Sequence, residues 1–266
     1  MKKTLTCALL ASLFTLTACG GGGGADDPAT SPVAVNQPTN GGTTTTPTTN
    51  GFVVSGKAIK FENGKQTGTM NSEYEEQYLQ IKVEDKQFGL AINHTNYNKV
   101  SSAAYNPTTG EPDEYTGQMQ YATYGAFGYP NTQTMYVYYI GKHNITKDMP
   151  TTGTAKYLGN LIAYRPSDKQ VFATYTPVDF NVDFGKKTVN AKIDKLNNIT
   201  RDVFSLEEIK NIELSATIKG NTFSGTKNGV TTEGVFVGPK AVEMTGLFND
   251  SKNKIQGAFG ARQQGK

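Results

Sequence analysis

The chain has 266 residues, with 26 Lys and Arg side chains against 23 Asp and Glu, and a formal net charge of +3 at neutral pH. This small excess gives no electrostatic basis for binding nucleic acid, which depends on clustered cations. The sequence also lacks the Gly-x-Ser-x-Gly, His-Glu-x-x-His and P-loop motifs. We therefore expect a protein that is not an enzyme, has no catalytic residues or metal site, and requires no cofactor.

The first 18 residues have the order of a bacterial secretory signal. A basic start is followed by a short apolar stretch, and small residues lead up to Cys19. The sequence Leu-Thr-Ala-Cys at 16–19 matches a lipobox, where the signal peptidase cuts before the cysteine and the cysteine is acylated. We predict a lipoprotein signal peptide at 1–18 and lipidation of Cys19, which would hold the chain on a membrane. The alternative is an ordinary signal peptide with an incidental cysteine.

A segment of biased composition follows Cys19. Residues 20–50 consist mostly of Gly, Thr, Pro, Asn and Ala, and almost none of them could enter a core. We predict that 19–50 is the lipidated cysteine and a disordered tether. A flexible coil of this length has a root-mean-square span of roughly 30 Å. Such a tether would hold a folded body away from the membrane surface.

The remainder of the chain has the pattern of an all-β fold. Apolar and polar residues alternate most clearly in VDFNVDF at 178–184, and the same period appears in TMYVYYI, YLQIKV, FGLAIN and IELSATI. One segment, SLEEIKNI, instead resembles the start of a helix, because Ser205 and Glu208 have the spacing of a capping box. Turn signals separate the strand-like runs: Glu62-Asn63-Gly64, Asn106-Pro107, Pro166-Ser167-Asp168, Gly220-Asn221, Asn228-Gly229 and Asn249-Asp250.

The C-terminal end carries spaced glycines and aromatic residues that resemble a known family. A strand ending Gly-x-Phe-x-Gly-Pro is followed by an acid, then by Gly-x-Phe, then by a terminal Gly-x-Phe-Gly-Ala strand. This order is similar to that of the β-barrel domains of the transferrin-binding protein B family, and TGTAKYLGNLIAY at 152–164 resembles their first strand. The matching residues are Gly234, Phe236, Gly238, Pro239, Glu243, Gly246, Phe248, Gly257, Phe259, Gly260 and Ala261.

The resemblance implies a two-part all-β fold. Residues 51–150 would form an N-terminal β-rich handle or clamp domain, and residues 151–266 a C-terminal eight-stranded antiparallel β-barrel. Phe236, Phe248 and Phe259 are then expected to point into the filled interior of the barrel. The two-lobed members of the family are longer, so this chain has room for a single lobe.

The resemblance also implies a surface lipoprotein of the Gram-negative outer membrane, exported by a surface lipoprotein assembly modulator. The favoured hypothesis is iron or haem acquisition. The protein would bind haem, haemoglobin or a transferrin-type host protein and pass the ligand to a TonB-dependent transporter. The alternative is immune evasion through a host complement regulator such as factor H, and a structural envelope lipoprotein is a third hypothesis.

Candidate ligand-binding residues lie in the first half of the body. It is rich in tyrosine, and Tyr124 and Tyr129 lie among Gly, Pro and Asn, so we predict them on loops as contacts for a protein partner. Tyr136 and Tyr138, in an alternating run, are predicted to pack within a strand. His94 and His143 are candidate haem ligands, because imidazole is a common axial ligand. Each histidine could equally be an ordinary residue at a strand end.

Overall fold

The computed structural model describes residues 53–75, 80–89, 100–104, 106–141, 145–201 and 205–265. Within these ranges the chain forms strands and one short 3₁₀ helix, η1 (Pro239–Ala241), and the predicted all-β fold class is confirmed. No helix in the same ranges is long and apolar enough to cross a membrane. The strands are β1 (Val53–Glu62), β2 (Lys65–Glu75), β3 (Gln80–Val83), β4 (Lys86–Gly89), β5 (Val100–Ala103), β6 (Asp113–Gln118), β7 (Thr123–Tyr129), β8 (Thr134–Ile140), β9 (Thr154–Arg165), β10 (Gln170–Ala173), β11 (Val178–Asp183), β12 (Thr188–Asn198), β13 (Glu208–Lys219), β14 (Thr222–Lys227), β15 (Val230–Val237), β16 (Glu243–Asp250) and β17 (Ile255–Gln263).

The first eight strands form one antiparallel sheet, which we call the handle. Its strand order is β4-β3-β2-β1-β8-β7-β6-β5, so β4 and β5 are the two edges. The hydroxyl of Tyr136 on β8 donates a 3.0 Å hydrogen bond to Glu84, at the turn after β3. Because β8 and β3 are three strands apart, the β3 half of the sheet must curl over its centre. Phe127 and Tyr136 stack under this curl, with ring centroids 4.7 Å apart.

The remaining strands form a second sheet that closes on itself, which we call the barrel. Strands β9, β17, β16, β15, β14, β13, β12 and β11 pair in that order, and β11 pairs back to β9. These eight antiparallel strands are the predicted barrel. The short strand β10 lies between β9 and β12 and continues the line of β11, from which residues 174–177 separate it.

Aromatic side chains fill the barrel, as predicted. Phe236, Phe248 and Phe259 are buried in one cluster, together with Phe180 and Phe223. The motif glycines lie beneath these rings. A Cβ atom on Gly234 would overlap the ring of Phe223, and one on Gly257 the ring of Phe248. In each case the glycine and the aromatic residue are directly opposite on paired strands, so the glycine makes room for the ring.

The helix predicted at Ser205 is wrong. Glu208–Lys219 is strand β13, in which Ile209 and Ile212 are both buried although they lie three residues apart. The β12–β13 ladder pairs Ile193 with Ile212 and Lys195 with Lys210, but it skips the residues between them. One of these, Asn211, has a φ of 60°. The side-chain alternation therefore shifts by one position there, which imitates the spacing of a helix.

The turn signals at strand ends are confirmed with one exception. Asn63-Gly64 and Asn228-Gly229 form two-residue hairpin turns with positive φ at both positions. The signal at Asn249-Asp250 falls too early, because these residues end β16 and the turn occupies 251–254. The Asp250 carboxylate accepts backbone hydrogen bonds from Lys252 and Asn253 and so caps that turn from the strand.

Candidate binding surface at the joint of handle and barrel

The prediction that Tyr124 and Tyr129 lie on loops is wrong. Both belong to strand β7, where their exposed fractions are 2% and 9%. Burial raises the pKa of both hydroxyls, that of Tyr129 to about 12, with a contribution from nearby Asp85. Side chains this buried offer almost no area to a protein partner, so neither serves as a surface contact. Tyr136 and Tyr138 are buried in strand β8, as predicted.

The other predicted site residues cannot be placed. Cys19, His94 and His143 lie outside the described residues. Lipidation and haem ligation therefore stay predictions.

Tyr124 contributes to the joint between handle and barrel. Its ring lies where a Cβ atom on Gly260 of β17 would be, and it also covers Gly117 on the neighbouring handle strand. Tyr121, in the turn between β6 and β7, lies over Gly238 in the same way, 2.6 Å from the Cβ position. Two motif glycines of the barrel are thus sockets for two handle tyrosines.

A buried carboxylate fastens the same turn. Glu243, the first residue of β16, has no exposed area. It accepts backbone hydrogen bonds from Tyr121 (2.7 Å) and Gln120 (3.2 Å), and lies 3.3 Å from the guanidinium of Arg262. Sequence reasoning recognised Glu243 only as the acid of the barrel motif. The available signal was an acid at the start of a predicted strand otherwise rich in apolar residues and glycine.

An apolar layer joins the two sheets around these contacts. Ile59, Phe61 and Val137 of the handle pack in one cluster with Ile162 and Leu247 on the outside of the barrel. The Tyr164 ring meets Phe61 edge-on, with centroids 5.1 Å apart. One face of the handle is therefore buried by the barrel wall, which fixes the edge strand β5 beside the barrel.

A furrow runs along β5 where this layer ends. One pocket, of about 310 Å³, is lined by Val100, Ser101 and Ser102 of the handle and by barrel residues. A second, of about 320 Å³, follows near Ala104. We call the two pockets together the β5 furrow. The barrel side of the first comprises Asn160, Ala173, Thr174, Tyr175 and Ile199; the second is lined by Asp113, Tyr115, Met135, Lys169, Val171, Thr200 and Arg201.

The barrel wall of the furrow is held by local hydrogen bonds. Thr200 accepts a 2.8 Å bond from the Val171 amide, and the Tyr115 hydroxyl accepts a 3.0 Å bond from the Arg201 amide. The side chain of Arg201 pairs with Asp113 at 3.7 Å. These contacts fix the segment after β12 against both β10 and the handle.

The family comparison agrees with this geometry. Residues 149–263 match the family model described as the C-lobe and N-lobe beta barrels of Tf-binding protein B. The protein is transferrin-binding protein B-like. The matched span covers β9 to β17, the closed barrel, and includes every motif residue that lies under or among the buried rings.

Curated relatives support the same similarity over part of their length. The chain is 33% identical over 106 residues to transferrin-binding protein B of Neisseria meningitidis serogroup B, covering 33% of this chain and 18% of the relative. It is 32% identical over 139 residues to transferrin-binding protein B of Moraxella catarrhalis, covering 44% and 19%. The chain thus matches less than half of the length of these relatives.

Solved structures show the same fold. The intact transferrin-binding protein B called Ap-TbpB, with N and C lobes, aligns over 80% of this chain and 47% of its own, with 19% identity and a TM-score of 0.54. Transferrin-binding protein B from serogroup B Neisseria meningitidis aligns over 79% and 44%, with 18% identity and a TM-score of 0.52. The match covers handle and barrel together, about half of a two-lobed chain.

The transferrin-binding protein B-like barrel exposes one charged rim beside the furrow. Arg165 contacts Asp168 and Glu207, which holds the pKa of the Glu207 carboxyl below its usual range. Its guanidinium lies 4.8 Å from the centre of the Phe172 ring. Leu206, beside Glu207, is 86% exposed. Within the described ranges no group of three or more His, Cys, Asp or Glu side chains could hold a metal ion.

Proposed function

We propose that the protein is a lipid-anchored surface lipoprotein that captures a host iron protein of the transferrin type. The observation that carries the proposal is the pairing of a curled handle with a closed barrel, fastened at the Glu243 joint, in the arrangement of one transferrin-binding protein B lobe. What those relatives are named for binding supports transferrin as the first ligand to test.

The interior of the lobe favours a protein ligand over a small molecule held inside the barrel. Phenylalanine rings occupy the barrel centre, with Phe180 and Phe259 stacked 5.4 Å apart. The pockets of the β5 furrow are shallow and lined by both polar and apolar groups. Such a surface suits the side chains of a folded partner, whose contact area spreads beyond any one pocket.

The remaining steps of the proposal follow from the predicted anchor and tether. Lipidation at Cys19 would hold the lobe on the outer membrane, and residues 20–50 would let it reach a ligand. A surface lipoprotein assembly modulator would export it, and a TonB-dependent transporter would receive the iron. Haem or haemoglobin is the second ligand of the same proposal, with His94 and His143 as candidate ligands.

Capture from human serum tests the proposal. The chain without its signal peptide is immobilised, and the retained proteins are identified by mass spectrometry. Transferrin as the main captured protein supports the proposal. Factor H as the main captured protein would replace it with immune evasion. Hemin titration tests the haem form, which fails if no Soret shift occurs or if the shift survives in a His94→Ala/His143→Ala variant.

A further inference from the structure

We infer that the free edge of β5 binds an extended segment of the protein ligand, which adds a strand to the handle sheet. The inference rests on the proposed function, since it supplies the binding mode for a captured host protein. Strand addition obtains affinity from main-chain hydrogen bonds and specificity from pockets for alternate side chains. The β5 furrow offers both.

The first requirement is an edge with free backbone groups. In the described part of the chain, β5 pairs with β6 and with no second strand, and residues 100–103 make no backbone hydrogen bond outside the sheet ladders. In an antiparallel ladder, alternate residues of an edge strand direct N–H and C=O away from the partner. Residues 101–104 are also exposed, so this edge is accessible.

The second requirement is the absence of the usual protection. Natural edge strands are commonly blocked by Lys, Pro or a bulge. Strand β5 is Val-Ser-Ser-Ala, with no charge and no proline, and its register with β6 is regular. Uncharged small residues at an open edge leave room for another strand to approach.

The third requirement is a surface for the side chains of the added strand. Across the first pocket from β5, Ala173 and Ile199 belong to the apolar layer outside the barrel. Tyr175, in the interruption between β10 and β11, is 71% exposed at the same pocket. Side chains of one parity would therefore meet an apolar floor and an aromatic ring.

The charges at the other end of the furrow define the segment further. Lys169 and Arg201 line the second pocket against one carboxylate, Asp113. Four residues of strand extend about 13 Å, so an added strand directs about two side chains towards the barrel. The fitting partner is an extended segment with an apolar side chain beside Tyr175 and an acidic side chain beside Lys169.

Hydrogen exchange with iron-loaded human serum transferrin as the probe tests the inference directly. The amides of 100–103 are expected to exchange at least tenfold more slowly in the complex than in the free chain. Ser101→Pro and Ser102→Pro each remove one amide donor, and neighbouring amides point in opposite directions. The variant that removes the outward donor should bind at least tenfold more weakly, while Ser101→Ala and Ser102→Ala should bind within twofold of the parent.

A second variant and a deletion keep the outcome clear. Tyr175→Ala lies outside the ladder and should weaken binding several-fold without changing the thermal midpoint. If transferrin binds, 100–103 stay unprotected and both proline variants bind as the parent does, strand addition is wrong and the proposed function stands. If transferrin does not bind, the proposed function fails. If 100–103 are protected in the free chain until residues 20–50 are deleted, the tether occupies the edge and the inference is wrong.

Discussion

The carboxylate of Glu243 in the barrel accepts a 2.7 Å hydrogen bond from the backbone amide of Tyr121 in the handle. The same carboxylate accepts the Gln120 amide, so one barrel side chain satisfies two donors of a single handle turn. Buried amides left without a partner destabilise a fold by about 1–3 kcal/mol. The family motif therefore places its acid where the two parts of the lobe are joined.

Replacing this acid is expected to weaken the lobe. Glu243→Ala should lower the free energy of unfolding by about 2–4 kcal/mol, because it leaves two buried amides unpaired. Urea unfolding followed by tyrosine fluorescence measures the change. Glu233→Gln is the matched control, since Glu233 bridges to Lys57 across the same joint but is 38% exposed. That control should change stability by less than about 1 kcal/mol. Equal effects in both variants would show that Glu243 is not the fastening residue.

Filling a glycine socket is expected to separate handle and barrel. Gly260→Ala places a methyl group inside the ring of Tyr124, and overpacking of this kind destabilises by about 1–3 kcal/mol. Thermal unfolding of Gly260→Ala against Gly265→Ala checks this, because a Cβ atom on Gly265 meets nothing within 4 Å. An unchanged midpoint for Gly260→Ala would contradict the socket.

How much of the fold the sequence predicts depends on how local the signal is. The hairpin at Asn228-Gly229 and the alternation through Phe180 are set by neighbouring residues, and both are confirmed. Tyr124 was assigned to a loop because Gly125 and Gly128 follow it. Those glycines instead allow close approach between strands, since Gly125 faces the Tyr115 carbonyl and Gly128 the side chain of Met135.

The joint depends on pairs that lie far apart in the chain. Nothing near Tyr124 indicates that Gly260 receives its ring, and nothing near Glu243 indicates that the Tyr121 amide is its partner. A single sequence contains no signal for such pairs. The β5 furrow was missed for the same reason, because its two walls come from different sheets.

A buried carboxyl in the handle predicts a pH dependence. Burial raises the pKa of Glu114 above its ordinary value near 4.5, although a hydrogen bond from Thr116 acts in the opposite direction. Above that value the unfolded chain releases the proton more readily than the folded chain. Stability contributed by this residue is therefore present at low pH and is lost as pH rises from 4.5 through the folded pKa.

Thermal midpoints measured from pH 4 to pH 8 test this direction. The parent should lose stability relative to Glu114→Gln as pH rises, because glutamine carries no charge to bury. Asp194→Asn, at an exposed position of β12, serves as the control and should follow the parent curve. A parent that gains stability relative to Glu114→Gln over this range would reverse the assignment.

The phase shift in β13 predicts a residue preference. Asn211 has a φ of 60°, a conformation that β-branched residues adopt only with strain. Asn211→Val is expected to destabilise the barrel by about 1–3 kcal/mol, whereas Asn211→Gly should change it little. Urea midpoints of the two variants give the comparison, and a valine variant as stable as the glycine variant would argue against the shifted ladder.

Calorimetric titration of the purified chain, without its signal peptide, with iron-loaded human transferrin tests the central claim most directly. The account predicts saturable binding near one lobe per transferrin, with a dissociation constant of about 1 μM or tighter, equivalent to about −8 kcal/mol. Tyr175→Ala should weaken it while Gly265→Ala leaves it unchanged. Absence of saturable binding at transferrin concentrations well above that value would contradict capture of a transferrin-type protein.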